Sequence, residues 1–181
     1  MKVRNVHTRS IPATIDCAAP LLDGLAGADD RLWPHDRWPA MRLDRPLAVG
    51  AKGGHGPVRY SVAEYLPGRK VLFRFDPATG LMRGFAGSHW FELNVEPDGI
   101  VIRHVIEAHG GPGAVLRWLL LVRPMHDALI EDALDRAELV LLGRVRSPAR
   151  WNWRVRLLRR LARRRRERSE KAANRTPPGN G

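Results

Sequence analysis

The chain has almost no cysteine. Cys17 is the one thiol in 181 residues, so no intrachain disulfide can form, which fits a reducing compartment. Long apolar runs are missing too. The most apolar stretch, "AVLRWLLLV" from Ala114 to Val122, carries Arg117 and falls far short of the roughly 20 residues a membrane span needs. The opening "MKVRNVHTRS" holds no apolar segment, so it does not read as a signal peptide. Metal-ligand spacing is also lacking. The seven histidines are scattered and Cys17 has no partner, so no metal is expected. "GGHG", Gly53 to Gly56, precedes a strand pattern rather than a helix, so no helix dipole would help it hold a phosphate. Nothing resembles a nucleophile elbow. These absences lead to the expectation of a cytoplasmic protein without cofactor or metal.

Acidic residues are scarce only at one end. From Arg144 to Gly181 there are 14 Lys and Arg against 2 Asp and Glu. The first 143 residues carry 17 of each, so the whole net charge of +12 sits in the tail. The strongly basic character describes the tail and not the domain before it.

Within residues 1–143 the pattern changes several times. Val3 to Ile11 reads as a strand. In "PATIDCAAPLLDGLAG", Ile15, Ala18, Ala19, Leu22 and Leu25 recur at helical spacing, and Gly27 is a candidate C-cap. Asp30 to Gly56 holds three prolines, two tryptophans and four glycines. It reads as a long ordered loop, and such loops are often functional. Period-two alternation follows: Val58, Tyr60 and Val62; Val71, Phe73 and Phe75; His89, Phe91, Leu93 and Val95. Turns at "LPGR", "DPATG" and "EPDG" make these consecutive hairpins. After "GGPG" the chain turns helical, and Pro124 is expected to kink or restart the helix. From there Met125, Leu129, Ala133, Ala137 and Val140 form an apolar stripe. Asp127, Glu131, Asp135 and Glu138 form an acidic one, expected to point away from the core. A sheet followed by one long amphipathic helix buries the helix's stripe on its inner face. Space left between them would be a ligand cavity.

The segments "VHTRSIPATID", "WPHDRWPAM", "YLPGRKVLFRF", "GSHWFEL", "RHVIEAHG" and "RPMHDALIEDALDRAE" together resemble the START-like superfamily, also called SRPBCC, polyketide cyclase-like or Bet v 1-like. The resemblance runs from about Lys2 to Gly143. It implies an α+β helix-grip fold, a curved antiparallel sheet wrapped around a long C-terminal helix. It implies further a hydrophobic small-molecule ligand, lipid- or polyketide-like. Some members of the superfamily catalyse ring closure or dehydration. The expected domains are residues 1–143, ligand-binding, and 144–181, a basic appendage.

On the face marked by the Val/Phe parity, Tyr60, Glu64, Phe73, His89, Phe91 and His104 are the candidate ligand-lining residues. Trp33 and Trp38 of "LWPHDRWP" serve either as a lid over the ligand or as pins for the loop. An apolar pocket with a few placed polar groups is the usual small-molecule site. An enzyme reading makes His89 or His104 a base, helped by Tyr60 or Glu64. Turn geometry bears on these histidines. A two-residue Asp98–Gly99 turn sets them about 13 Å apart, at roughly 3.3 Å per strand residue, able to share a ligand but not a proton. A three-residue Pro97–Gly99 turn would bring Arg103 inward in place of His104.

In the tail, Trp151, Val155, Leu158 and Ala162 cluster on one helical arc, extended by Trp153, Leu157 and Leu161. Arg156, Arg159, Arg160 and Arg163 lie opposite. A basic amphipathic helix that begins with tryptophans suits an anionic membrane surface. Binding to nucleic acid, docking on an acidic helix face and a solvated tail are the alternatives. The final "NRTPPGNG" reads as disordered.

Overall fold

The structure is a computed structural model. It describes the backbone of residues 1–173 and the side chains up to Ala162, with that of Arg164. "NRTPPGNG" and the Arg163 side chain lie outside the described residues. The chain divides into two compact units, Met1–Ala149 and Arg150–Gly181.

The first unit is built on one seven-stranded antiparallel sheet. Its strands are β1 (Lys2–Ile11), β2 (Arg42–Leu43), β3 (Lys52–His55), β4 (Val58–Leu66), β5 (Lys70–Phe75), β6 (Phe85–Glu96) and β7 (Gly99–Gly110). Their order across the sheet is β1-β7-β6-β5-β4-β3-β2, so every strand from β2 to β7 pairs with its sequence neighbour. The first strand closes onto the last, with Lys2 opposite His109 and Ile11 opposite Ile100. Two strands, β2 and β3, lie within the stretch that the sequence presents as loop. Their glycine content hides them: a Cβ on Gly53 would fall 1.9 Å from Arg42 O, and one on Gly54 1.9 Å from Val58 O. Close backbone approach therefore demands glycine exactly where alternation would otherwise be read.

Helix α1 (Ile15–Asp23) buries Ala18, Leu21 and Leu22. It ends at Gly24, earlier than the Gly27 cap read from the sequence. Helix α2 (Pro112–Arg117) runs through a wide turn, Trp118–Val122, into the long α3 (Arg123–Leu142). The wide turn is the distortion expected near Pro124, which lacks an N–H and crowds the preceding carbonyls. There the Arg123 amide reaches back five residues to Trp118 O. Leu129, Ile130, Ala133, Leu134 and Ala137 are buried. Gly143, at φ +71, ends the helix, with its amide on Leu139 O at 2.8 Å.

The acidic stripe of α3 packs against β1 with only Asp127 and Glu131 partly open to solvent, a correction to the sequence reading. The odd-numbered residues of β1 face inward, and among them His7 and Arg9 meet that stripe. Arg9 pairs with Glu131 at 3.0 Å, Asp135 at 3.0 Å and Glu138 at 2.9 Å. Arg146 pairs with Glu138 and bonds Ser10 O. Arg146 thereby ties the segment after Gly143 to β1 and α3 within the first unit.

The second unit holds α4 (Trp153–Ala173). Asn152 caps its start by accepting the Val155 amide at 3.0 Å. The Arg159 guanidinium lies 4.2 Å from the centre of the Trp151 ring. Trp153, Leu157 and Leu161 are exposed. No helix among the described residues is long and apolar enough to cross a membrane.

Candidate functional site

Alternation on β4 to β7 places a row of rings on the inner face of the sheet. Phe73 and Phe75 stack on either side of His89, at 5.0 and 4.9 Å between centroids. Tyr60 meets His89 edge-on at 4.9 Å, and Phe91 meets His104 at 4.5 Å. The row continues through His104 to His126 of α3 at 4.9 Å, and from Tyr60 to His55 and Trp33 at 5.7 and 4.7 Å. Tyr60, Phe73, His89, Phe91 and His104 are all buried. Where the sequence leads one to expect an apolar pocket with a few placed polar groups, the structure has a continuous row of contacting rings, rich in imidazole.

The two inner histidines touch. His89 Nδ1 and His104 Nε2 are 3.3 Å apart, which corrects the separation expected from the turn. The loop is one residue earlier than read: Glu96 pairs with Gly99, so Pro97 and Asp98 form the turn. His89 then faces Ile106 and His104 faces Phe91, two residues along instead of four. Gly99 makes this possible. Its φ is +139, and a Cβ there would fall 2.3 Å from Ile11 O. The same register keeps His104 inward rather than Arg103, which pairs with Glu92 at 3.2 Å.

Glu64 does not line this face. A bulge between Val62 and Glu64 shifts the register, so Val62 opposes Phe73 but Glu64 opposes Leu72. Glu64 is turned outward and pairs with Lys70 at 2.9 Å. Tyr65 takes the inward place opposite Val71 and donates its hydroxyl to Asp23 at 2.9 Å.

Both indoles of the 30–56 segment are buried and hydrogen-bonded. Trp33 Nε1 donates to Pro39 O at 2.9 Å, and Trp38 Nε1 donates to Asp132 Oδ2 at 2.7 Å. Arg37 pairs with the other oxygen of Asp132 at 2.6 Å. The buried Asp132 carboxylate on α3 thus holds the loop through two of its residues. Outside the row, a concavity of about 810 Å³ is framed by Lys52, Arg59, Arg74 and Asp76 and touches Tyr60 and Phe75.

Burial sets the protonation of the row. It pushes the pKa of His89 and of His104 well below the ordinary histidine value, and the neighbouring histidines add to the effect. Both are neutral imidazoles at pH 7. One donates the shared hydrogen bond and the other accepts it. His89 Nε2 and His104 Nδ1 have no partner and are fully buried. In either tautomer this pair offers one donor and one acceptor.

At the far end lies a charged group. His7 Nε2 is 3.1 Å from Asp127 Oδ1, and His7 Nδ1 is 2.7 Å from Glu131 Oε1. Burial opposes its charge, but the hydrogen bonds and charges of Asp127 and Glu131 outweigh burial and raise the His7 pKa to about 9. Sequence reasoning did not single out His7, His55 or His126. His7 was legible as an odd-numbered residue of β1, in phase with Val3 and Ile11. Nothing in the sequence shows that His126 meets it.

No protein-family model matches the sequence, and no curated protein matches it. Solved structures do match. Norcoclaurine synthase from Thalictrum flavum, as a point mutant in complex with a transition-state analogue, aligns at a TM-score of 0.59 and 18% identity, over 79% of this chain and 96% of that one. The di-domain ARO/CYC protein StfQ of the steffimycin biosynthetic pathway aligns at 0.58 and 15%, over 79% of this chain. The match spans about half, 51%, of that protein's length. Protein NE0264 from Nitrosomonas europaea aligns at 0.53 and 12%, over 78% of this chain and 95% of that one. At these identities the likeness is one of fold. An antiparallel sheet whose first strand closes on its last, packed against one long helix, is the helix-grip fold.

Proposed function

We propose that residues 1–143 bind a hydrophobic small molecule between the sheet and α3, with no obligatory chemistry. The observation that carries this reading is the His89–His104 pair: two buried nitrogens without partners, set in a wall of Tyr60, Phe73, Phe75 and Phe91. A buried polar atom without a partner costs roughly 1–3 kcal/mol. A guest carrying one polar group among apolar or aromatic surface recovers that cost. The rings must part to admit it. A structure of norcoclaurine synthase holds dopamine and hydroxybenzaldehyde, so the fold accommodates small aromatic guests in that protein.

A second reading, a cyclase or dehydratase acting on a polyketide-like substrate, draws on the same two histidines. Their lowered pKa values weigh against it, since an efficient general base titrates near the working pH. His89→Leu and His104→Leu separate the two. For binding, each variant weakens retention of the hydrophobic dye 1-anilinonaphthalene-8-sulfonate, or of a ligand recovered from the host, by about tenfold, the worth of roughly one hydrogen bond. For catalysis, affinity stays and turnover disappears.

The tail is proposed to hold the protein at an anionic membrane surface through Trp151, Trp153, Arg156, Arg159, Arg160 and Arg163. Exposed Trp153, Leu157 and Leu161 support this. In the first unit, exposed Leu116, Leu119, Leu120 and Leu121 lie beside Arg117 and Arg123 and offer a second apolar surface of the same kind. Deletion of residues 150–181 is expected to lower co-sedimentation with phosphatidylserine vesicles while leaving dye binding unchanged. Preference of the tail peptide for DNA over those vesicles at physiological salt would favour a nucleic-acid role.

A further inference from the structure

We infer that His7, His126 and Asp127 form a site for a divalent transition-metal ion, fastening β1 to the start of α3. This rests on residues that the ligand reading does not use. One side chain comes from β1 and two from the start of α3, and their ligating atoms all lie within 4.8 Å of one another. Two imidazoles and a carboxylate are the donor set of many zinc and non-haem iron sites.

Three features distinguish this cluster from an ordinary ion pair. The first is His126. Both its ring nitrogens are fully buried and neither has a hydrogen-bond partner. Its Nδ1 stands 3.9 Å from Asp127 Oδ1, beyond hydrogen-bond reach. An ion between them would give that nitrogen the partner it lacks. The second is the support behind the ligands. Glu131 Oε1 takes His7 Nδ1 at 2.7 Å, which leaves Nε2 as the ligating atom, and Arg9 holds Glu131 in turn at 3.0 Å. A carboxylate on the far nitrogen is the usual partner of a metal-binding histidine. Asn5, itself buried, donates Nδ2 to Asp127 Oδ1 at 2.9 Å, and its own Oδ1 is without a partner. The third is access. Asp127 and Glu131 are about one-third exposed while both histidines are nearly buried. An ion can therefore enter from solvent, and at least one coordination position is left for water or another ligand. On binding, His7 Nε2 releases to solvent the proton it otherwise shares with Asp127.

The sequence spacing argued against any metal because it was read along the chain. The ligands instead come from β1 and from two consecutive residues of α3, and only the pairing of β1 with β7 under α3 brings them together.

The test is titration of the full-length chain, stripped with chelator, using Zn²⁺ in a calorimeter and Co²⁺ in a spectrophotometer. One ion should bind per chain, raise Tm, and with Co²⁺ give the visible bands of a low-symmetry nitrogen–oxygen site. Glu131→Gln should weaken Zn²⁺ by about 10–100-fold. His126→Gln should weaken it at least as much. Because His126 makes no hydrogen bond without the ion, that variant keeps the ion pairs of β1 with α3, and circular dichroism confirms its fold. His35→Ala, in an exposed loop position, should change nothing. Absence of stoichiometric binding, or binding undiminished in folded His126→Gln, would overturn the assignment.

Discussion

At the scale of single residues, buried polar side chains decide more than the apolar ones. Asp132 is a carboxylate inside the protein, held by Arg37 at 2.6 Å and Trp38 at 2.7 Å. Its removal takes both of these bonds away, so Asp132→Ala is expected to destabilise by about 1–3 kcal/mol. Hydrogen exchange should quicken selectively in residues 33–38. Unchanged exchange there would mean that other contacts secure the loop. His7 supplies a pH signature in the metal-free chain. Its folded pKa, about 9, lies above the ordinary value near 6.5. The stability it contributes is therefore fully present below pH 6.5 and is lost as pH rises through 9. Measured by urea unfolding, the advantage of wild type over His7→Gln should be large at pH 6 and shrink by pH 9.5. An advantage independent of pH would show that His7 acts through packing alone.

Among the elements, β1 is an edge strand, and its outer rim is a liability that folds commonly manage with charge. Here charge is used inward. Arg9 reaches three carboxylates of α3, with Glu138 itself buried. Loss of one partner of a buried ion pair is costly, so Arg9→Ala is expected to lower stability by about 3 kcal/mol. The loss should appear as fraying of β1, read by amide exchange at residues 2–11. Uniform exchange along β4 to β7 and β1 alike would contradict it. Much of this architecture was legible. The strands β4, β5 and β6 show their inner faces as Val58, Tyr60 and Val62, then Val71, Phe73 and Phe75, then His89, Phe91 and Leu93. What escaped reading were features that break the period without marking it. The bulge before Glu64 turns that residue outward. The turn at Pro97–Asp98 differs from its neighbour by one residue, yet it halves the offset between His89 and His104 along the strands. The glycines of β3 hide a strand because a close neighbour has replaced the side chains. The acidic stripe of α3 looked solvated because its cations come from outside the helix, His7 and Arg9 from the distant β1 and Arg146 from the segment after Gly143.

For the molecule as a whole, charge is divided unevenly along the chain. Residues 1–143 balance acid and base, and the excess of +12 belongs to residues 144–181. The fold places neutral imidazoles among aromatic rings, a polar line inside an apolar wall. The central proposal is that this line receives a guest. Native mass spectrometry of the full-length chain, purified from its own host without detergent, tests this most directly. The account predicts one organic adduct per chain, retained on gentle activation and depleted in His89→Leu and His104→Leu. A folded wild-type chain that carries no organic adduct, and gains none when equilibrated with a lipid extract of the host, would contradict it.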